Sequence, residues 1–294
     1  MAVLRVGAVA GIPIVHELCD GIRLERLDVV DWAGTSEVSE PVVIRHELGD
    51  ATTTRLRRML DVPPWCTFHL DAAGEPAALF YGVFGEVDRL LTTVTPGTRY
   101  RVRYAAAPSD PVVALQSELT AFSFAIAARG AGLIAHACAF ITATGHGVLC
   151  PGISGTGKTT LARLLRDADP AVELLTDDRA IVTLDDRGVR VWGSPWPGAG
   201  KVAGVRSAPL TTLVFIRHGQ RVEQRVVTPA EAFRRIVNTL SMPLWEPARC
   251  GRPLEVIDGI VSRARLIELA FPPTTDAARW VVTEADDRFA VSAA

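Results

Sequence analysis

Lysine is nearly absent from this chain. Of its 31 Lys and Arg residues only Lys158 and Lys201 are lysine. The general-purpose surface cation is therefore arginine, and a lysine marks a place where a compact ammonium is needed. Paired cysteines are missing as well. Cys19, Cys66, Cys138, Cys150 and Cys250 are odd in number, widely spaced and without a C-x-x-C. That excludes a disulfide framework and a cysteine zinc site, and it leads to the expectation of reduced thiols in the cytoplasm. No excess of positive charge exists: the formal net charge is -2, which gives no basis for a nucleic-acid partner. Long uninterrupted apolar runs are lacking too. Residues 121–141 approach the length of a membrane span but contain Arg129, Gly130, Gly132 and His136, so they read as a buried helix followed by a strand. Residues 6–15 are broken by Pro13, with no cleavage site ahead of His16-Glu17. Two strands turning near Gly11 fit better than a signal core. No membrane partner is expected, and there is no internal repeat.

With 294 residues, 48% of them hydrophobic and 22% charged, the chain can bury a sizeable core in one or two domains. Residues 1–110 read as a β-rich region of unknown role. Short β-branched or aromatic segments at 24–30, 42–46, 66–70, 78–84, 90–94 and 100–104 are separated by turn signals, Gly34 and Gly49-Asp50 among them. A short helix is expected over 54–60. His16, His46 and His69 are isolated in sequence and read as structural. Pro108-Ser109-Asp110-Pro111 marks a boundary, with Ser109 or Asp110 available to cap a helix over 112–128. Residues 111–294 then read as α/β: strands at 133–142 and 146–150 paired as a hairpin, then 173–176, 180–184, 189–192, 210–217 and 265–271. Helices are expected after Thr228-Pro229-Ala230-Glu231, where Thr228 and Glu231 form a capping box, and over 253–264 and 275–285.

The most informative stretch is Pro151-Gly152-Ile153-Ser154-Gly155-Thr156-Gly157-Lys158-Thr159-Thr160. It fits G-x-x-x-x-G-K-[ST] between an apolar strand and an amphipathic helix, the context a phosphate-binding loop requires. Glycines at 152, 155 and 157 let the backbone aim its N–H groups, with those of Ser154, Thr156 and Thr160, at one point by the positive helix end. Lys158 would reach the terminal phosphates and Thr159 would bind Mg²⁺. A nucleoside triphosphate, ATP by expectation, is the partner.

The second feature is Asp177-Asp178, at the end of a short strand. Phosphoryl transfer needs a carboxylate for the metal and a group that orients the attacking oxygen. The pair could divide these roles, or one aspartate could serve the metal while its neighbour is merely exposed. Two classes drop out: N-K-x-D of guanine-specific GTPases and L-S-G-G-Q of transporter ATPases are both absent.

Leu133-Ile134-Ala135-His136, the phosphate loop from Gly147 to Thr160, and Leu174-Leu175-Thr176-Asp177-Asp178 together resemble the catalytic domain of HPr kinase/phosphorylase. The chain looks like the branch of HPr-kinase-like proteins often encoded near modified-peptide biosynthesis. The resemblance spans residues from about 112 to 285. It implies a P-loop kinase domain with a core similar to phosphoenolpyruvate carboxykinase. It also implies Mg²⁺-dependent transfer of the ATP γ-phosphoryl to an aliphatic hydroxyl of a peptide, protein or small molecule. By the same resemblance, Asp177 is the base, Asp178 joins Thr159 on Mg²⁺, His136 sits near the transferred phosphate, and the chain forms a homo-oligomer. The chain departs from the family in having Thr159-Thr160 where Ser-Glu is usual. It also has Val191-Trp192-Gly193-Ser194-Pro195 in place of the Glu-Ile-Arg-Gly signature. These departures argue against a reverse phosphorylase reaction and against HPr as the acceptor, and they leave Lys201 as a candidate substitute cation. The competing expectation is a nucleotide-binding regulatory subunit that transfers nothing.

Overall fold

The computed structural model describes residues 2–24, 39–50, 55–62, 66–82, 85–108, 110–243 and 249–286. It is a mixed α/β protein. The chain divides into two compact units, Met1–Gly130 with Met242–Cys250, and Ala131–Ser241 with Gly251–Ala294. Among the described residues no helix is long and apolar enough to cross a membrane.

The first unit is an eight-stranded sheet in the order β1-β2-β3-β8-β7-β6-β5-β4. Its strands are β1 (Ala2–Val9), β2 (Ile12–Leu18), β3 (Val42–Leu48), β4 (Arg57–Val62), β5 (Cys66–Leu70), β6 (Pro76–Tyr81), β7 (Val87–Thr95) and β8 (Arg99–Tyr104). The expected turn near Gly11 is present: Val9 pairs with Ile12. Ala10 and Gly11 both take positive φ, 48° and 78°, the backbone of a primed two-residue hairpin. The helix expected over 54–60 is not there. Residues 57–62 are strand β4, paired antiparallel to β5 from Arg57↔Leu70 to Val62↔Cys66, because a sheet edge overrides weak local helix preference. The strand expected over 24–30 and the turn at Gly34 fall outside the described residues, apart from Leu24, which is not in a strand. Helix α1 (Pro111–Arg129) belongs to this unit, so the expected boundary at 110/111 falls at its N-terminus. Asp110 caps it by accepting from Val112 N–H at 2.8 Å, and Gly130 ends it in the left-handed region at φ 60°. Residues 121–127 are buried all round, as the apolar run at 121–141 predicted.

The second unit carries β9 (Leu133–Ile141), β10 (Gly147–Pro151), α2 (Lys158–Ala168), β11 (Glu173–Thr176), β12 (Arg179–Asp185), β13 (Gly188–Trp192), β14 (Ser207–His218) and β15 (Glu223–Val226). It continues with α3 (Pro229–Val237), α4 (Gly251–Arg263), β16 (Arg265–Phe271) and α5 (Thr275–Asp286). The sheet order is β10-β9-β12-β13-β14-β16-β15, with β11 also on β9 and β10 also on β14. The hairpin expected ahead of the phosphate loop is β9–β10. β10 then runs parallel to β14, and β14 parallel to β16. Helices α2 and α5 pack Leu161, Leu165, Ala277 and Val281 onto Phe140, Val148, Val214 and Leu269 of this sheet. At α3, Thr228 accepts from Glu231 N–H at 3.3 Å. The return half of the expected capping box is not made, because the Glu231 carboxylate is taken by Arg225 and Arg235.

Candidate functional site

Strand directions bring the sequence motifs to one edge of the second unit. The carboxyl ends of β10 and β14, which are parallel, lie beside the start of the antiparallel β9. The crevice outside the carboxyl ends of strands is where open α/β sheets bind ligands. β10 ends at Pro151, paired with Ala137, and Gly152 N–H donates to His136 carbonyl at 3.1 Å. His136 N–H in turn donates to Thr239 carbonyl at 2.7 Å. The backbone of His136 is thereby pinned on both sides at the mouth of the loop.

Residues 152–157 turn through Gly155 at φ 85° and Gly157 at φ 102° into the first turn of α2. Both angles lie where a side chain is strained, which explains glycine at these two positions. Ser154 and Gly155 are exposed on the loop. Thr156 closes the turn by donating its hydroxyl to Ile153 carbonyl at 3.0 Å. Lys158 is buried, at 5% exposure, and folds back over the loop: Nζ donates to the carbonyls of Gly152 at 2.7 Å and Ile153 at 2.8 Å. Burial lowers its pKa, opposed by Asp178 and reinforced by Arg179. Thr159 is exposed and Thr160 half-buried beside it on α2.

Asp177-Asp178 occupies the bend where one strand ends and the next begins against the same neighbour. β11 pairs Thr176 with Ala139, and β12 pairs Arg179 with His136. The two carboxylates leave this bend in different directions. Asp178 meets His136, with Nε2 2.9 Å from Oδ1, and the same oxygen accepts from Arg179 Nη1 at 2.9 Å. Its Oδ2 has no partner among the described residues. Burial acts to raise the Asp178 pKa, but the His136 hydrogen bond and the charges of Arg179 and Lys158 outweigh it and hold the carboxyl below its usual range.

Asp177 is only 1% exposed and turns away from His136. Its Oδ1 accepts from Gly198 N–H at 2.9 Å and Val202 N–H at 3.2 Å, and its Oδ2 from Gly200 N–H at 2.6 Å. It staples the glycine- and proline-rich loop between β13 and β14. The fit is tight: a Cβ on Gly200 would stand 2.6 Å from Asp177 Oδ2 and 3.3 Å from Thr159 Cγ2. The stapled loop thus lies against Thr159 at the start of α2.

The structure therefore brings together His136, Asp178, Lys158 and the phosphate loop, with Asp177 and Thr159 on either side of Gly200. Lys201 has an exposed side chain in a turn at φ 53°, its N–H donating to Gly198 carbonyl at 3.0 Å. Three contributors were missed in sequence. Arg179 directly follows the acidic pair, a position that could have flagged it. His218 ends β14 and places Nε2 3.0 Å from Gly155 carbonyl, but it is a lone histidine on a strand and gives no local signal. The loop amides of Gly198, Gly200 and Val202 carry no side-chain signature at all.

Among the described residues no group of three or more His, Cys, Asp or Glu gathers to hold a metal by itself. The residues do fit Mg²⁺ bound jointly with phosphates, because such a site needs only one or two protein oxygens and fills up with phosphate oxygens and water. The exposed Thr159 hydroxyl is an oxygen of that kind.

No protein-family model matches the chain, and no curated protein matches it.

Proposed function

We propose that the second unit is a nucleoside-triphosphate-dependent kinase that transfers the γ-phosphoryl group to an aliphatic hydroxyl. The observation that carries this reading is the His136–Asp178 pair held at the mouth of the phosphate loop within electrostatic reach of Lys158. A phosphate-binding loop alone is served by backbone amides and an ammonium. A carboxylate with one oxygen oriented by a histidine and the other left free is what proton removal from a hydroxyl requires.

In this reading the amides of residues 155–160 and the α2 N-terminus bind the phosphates. Lys158 leaves the loop carbonyls for the terminal phosphate oxygens. Mg²⁺, when bound, neutralises charge on the β and γ phosphates. His136 donates from Nε2 to Asp178 Oδ1 and fixes the carboxylate plane. Oδ2 then takes the proton as the acceptor oxygen forms its bond to the γ phosphorus and the bond from that phosphorus to the bridging oxygen breaks, releasing the diphosphate. The resemblance to HPr kinase implies Asp177 as base and Asp178 as metal ligand. The hydrogen bonding favours the opposite division. Asp177 has three loop amides on its oxygens and lies behind Thr159, on the metal side. Asp178 has the free oxygen and the histidine. ATP as the nucleotide and a Ser/Thr-type hydroxyl as acceptor remain part of the proposal.

Lys158→Ala tests it. Calorimetry with Mg·ATP and release of ADP with a panel of hydroxyl acceptors are the two readouts. Loss of both in the variant supports the kinase. Unchanged binding in Lys158→Ala removes the phosphate-loop assignment. Tight wild-type binding with no turnover on any acceptor reduces the unit to a nucleotide-binding regulator.

A further inference from the structure

Beside the phosphate loop, on the other side of Thr159, lies a cavity of 270 Å³ whose arginine-lined part the proposed phosphate site does not use. Its walls include Thr159, Thr160, Arg163 and Arg166 from α2 and Ala199 and Gly200 from the stapled loop. Arg163 and Arg166 are three residues apart on one helix, a spacing that puts their side chains on the same face. Both are exposed, and neither guanidinium has a carboxylate or hydrogen-bond partner among the described residues. Like charges at this spacing disfavour each other unless an anion lies between them. Many arginines elsewhere are paired, Arg225 and Arg235 with Glu231 and Glu268 for example. The opposite wall is Ala199, Gly200 and Val202, none of them long or charged. It is also fixed in place, because Gly200 N–H is held on the buried Asp177 carboxylate at 2.6 Å. Lys201, one of only two lysines in the chain, follows Gly200 directly on this loop.

We propose that this cavity is a subsite for a carboxylate of the phosphoryl acceptor, so that the acceptor is an acidic hydroxyl compound or a hydroxyl residue in an acidic peptide segment. The inference rests on the kinase reading of the same unit. Planar guanidiniums bind carboxylates through parallel N–H···O bonds, which adds geometry to charge. The Thr160 hydroxyl supplies a further donor next to the phosphate loop. An acceptor anchored here would lie along the stapled loop, with its hydroxyl carried past Thr159 toward the phosphates.

The test is calorimetric titration of citrate, as a carboxylate probe, into protein saturated with a non-hydrolysable ATP analogue in excess Mg²⁺, with the heat of citrate chelating Mg²⁺ subtracted by a matched titration without protein. The wild type and Arg163→Gln/Arg166→Gln are compared at low and moderate salt. Saturable citrate binding that weakens tenfold or more in the double variant supports the subsite, provided analogue affinity stays within about twofold. So does binding that weakens steeply with salt. No saturable binding, or binding indifferent to the two substitutions, overturns it. A parallel tenfold fall in analogue affinity also overturns it, since the cavity would then belong to the nucleotide. Inorganic phosphate binding there in preference to citrate overturns the carboxylate assignment. If the wild type fails to bind the analogue at all, the kinase reading is what fails. Citrate titrated without nucleotide then still reads the cavity.

Discussion

Exchanging each aspartate of the pair for asparagine separates two jobs that adjacent residues could easily blur. Asp177→Asn leaves one carbonyl oxygen where the carboxylate had two. That oxygen can face either Gly198 and Val202 or Gly200, and the new NH₂ then points at an N–H on the other side. At least the 2.6 Å bond from Gly200 is replaced by two donors facing each other, or else the bonds at 2.9 and 3.2 Å are. A hydrogen bond to a charged group contributes ~1.5–3 kcal/mol, and an unsatisfied buried donor costs a similar amount. A net loss of ~2–4 kcal/mol follows, or a fall in Tm of roughly 5–15 °C for a domain of this size. On the proposed kinase reading, the loosened loop no longer supports Thr159, so the Mg²⁺ concentration needed for half-maximal turnover rises. Asp178→Asn behaves differently. Asp178 is partly exposed and its Oδ2 has no partner among the described residues, so the stability change is under ~1 kcal/mol, while on the same reading turnover falls by ~10²–10⁴ through loss of the proposed general base. Thermal melts and Mg²⁺ titrations of turnover for both variants decide the matter. A stable, slow Asp177→Asn beside an unstable, active Asp178→Asn would refute the division of labour.

Further outcomes follow from single contacts. Gly200→Ala forces a methyl against Asp177 Oδ2 at 2.6 Å, which costs ~1–3 kcal/mol as overpacking; a Tm equal to wild type would show that the loop is not seated as described. Because the Asp178 pKa is depressed in the fold, the stability it contributes is complete above the unfolded carboxyl value of ~3.9 and disappears as pH falls through the lower folded value. The gap in urea-unfolding free energy between wild type and Asp178→Asn should therefore shrink below about pH 4, and a gap that is flat from pH 3 to 7 would contradict the His136–Asp178 contact. None of the five cysteines is in a disulfide. Burial pushes Cys66 and Cys138 up to about 12, and Cys150 well above its usual value, so a thiol reagent at neutral pH should label only the partly exposed Cys19 and Cys250 before unfolding.

How much of the site was legible depended on whether the chemistry sat in one stretch of chain. The strand–turn–helix junction at 147–168 was readable because the apolar strand, the glycines and the helix are contiguous. The direction of each aspartate was not readable. Alternation along a strand says that neighbours point apart, but not which of them meets His136. That is settled by long-range register: β11 and β12 pair with successive stretches of β9, and the pair falls in the bend between them. The stapled loop was invisible for a different reason, since its function lies in backbone N–H groups. The expected helix over 54–60 failed because sheet pairing to β5, thirteen residues from Arg57 to Leu70, decides that segment.

The same register argument explains why His136 matters more than a lone histidine on an apolar strand ordinarily would. Its carbonyl receives the first amide of the phosphate loop, its N–H is tied to Thr239, and its imidazole holds Asp178. One residue thus fixes the start of the phosphate loop and the orientation of the proposed base. His136→Ala should therefore leave the backbone contacts in place and preserve nucleotide binding, because those bonds use main-chain atoms. It should lower kcat more than it raises the KM for nucleotide, since Asp178 keeps its Arg179 bond but loses the partner that fixes its plane. His136→Gln, whose amide NH₂ can still donate to Asp178 Oδ1, should recover part of the rate. Measuring kcat and KM for both variants distinguishes this from a simple packing role. Packing loss would lower Tm and weaken nucleotide binding in the alanine variant, and equal rates for alanine and glutamine would mean that the hydrogen bond to Asp178 does not contribute to turnover.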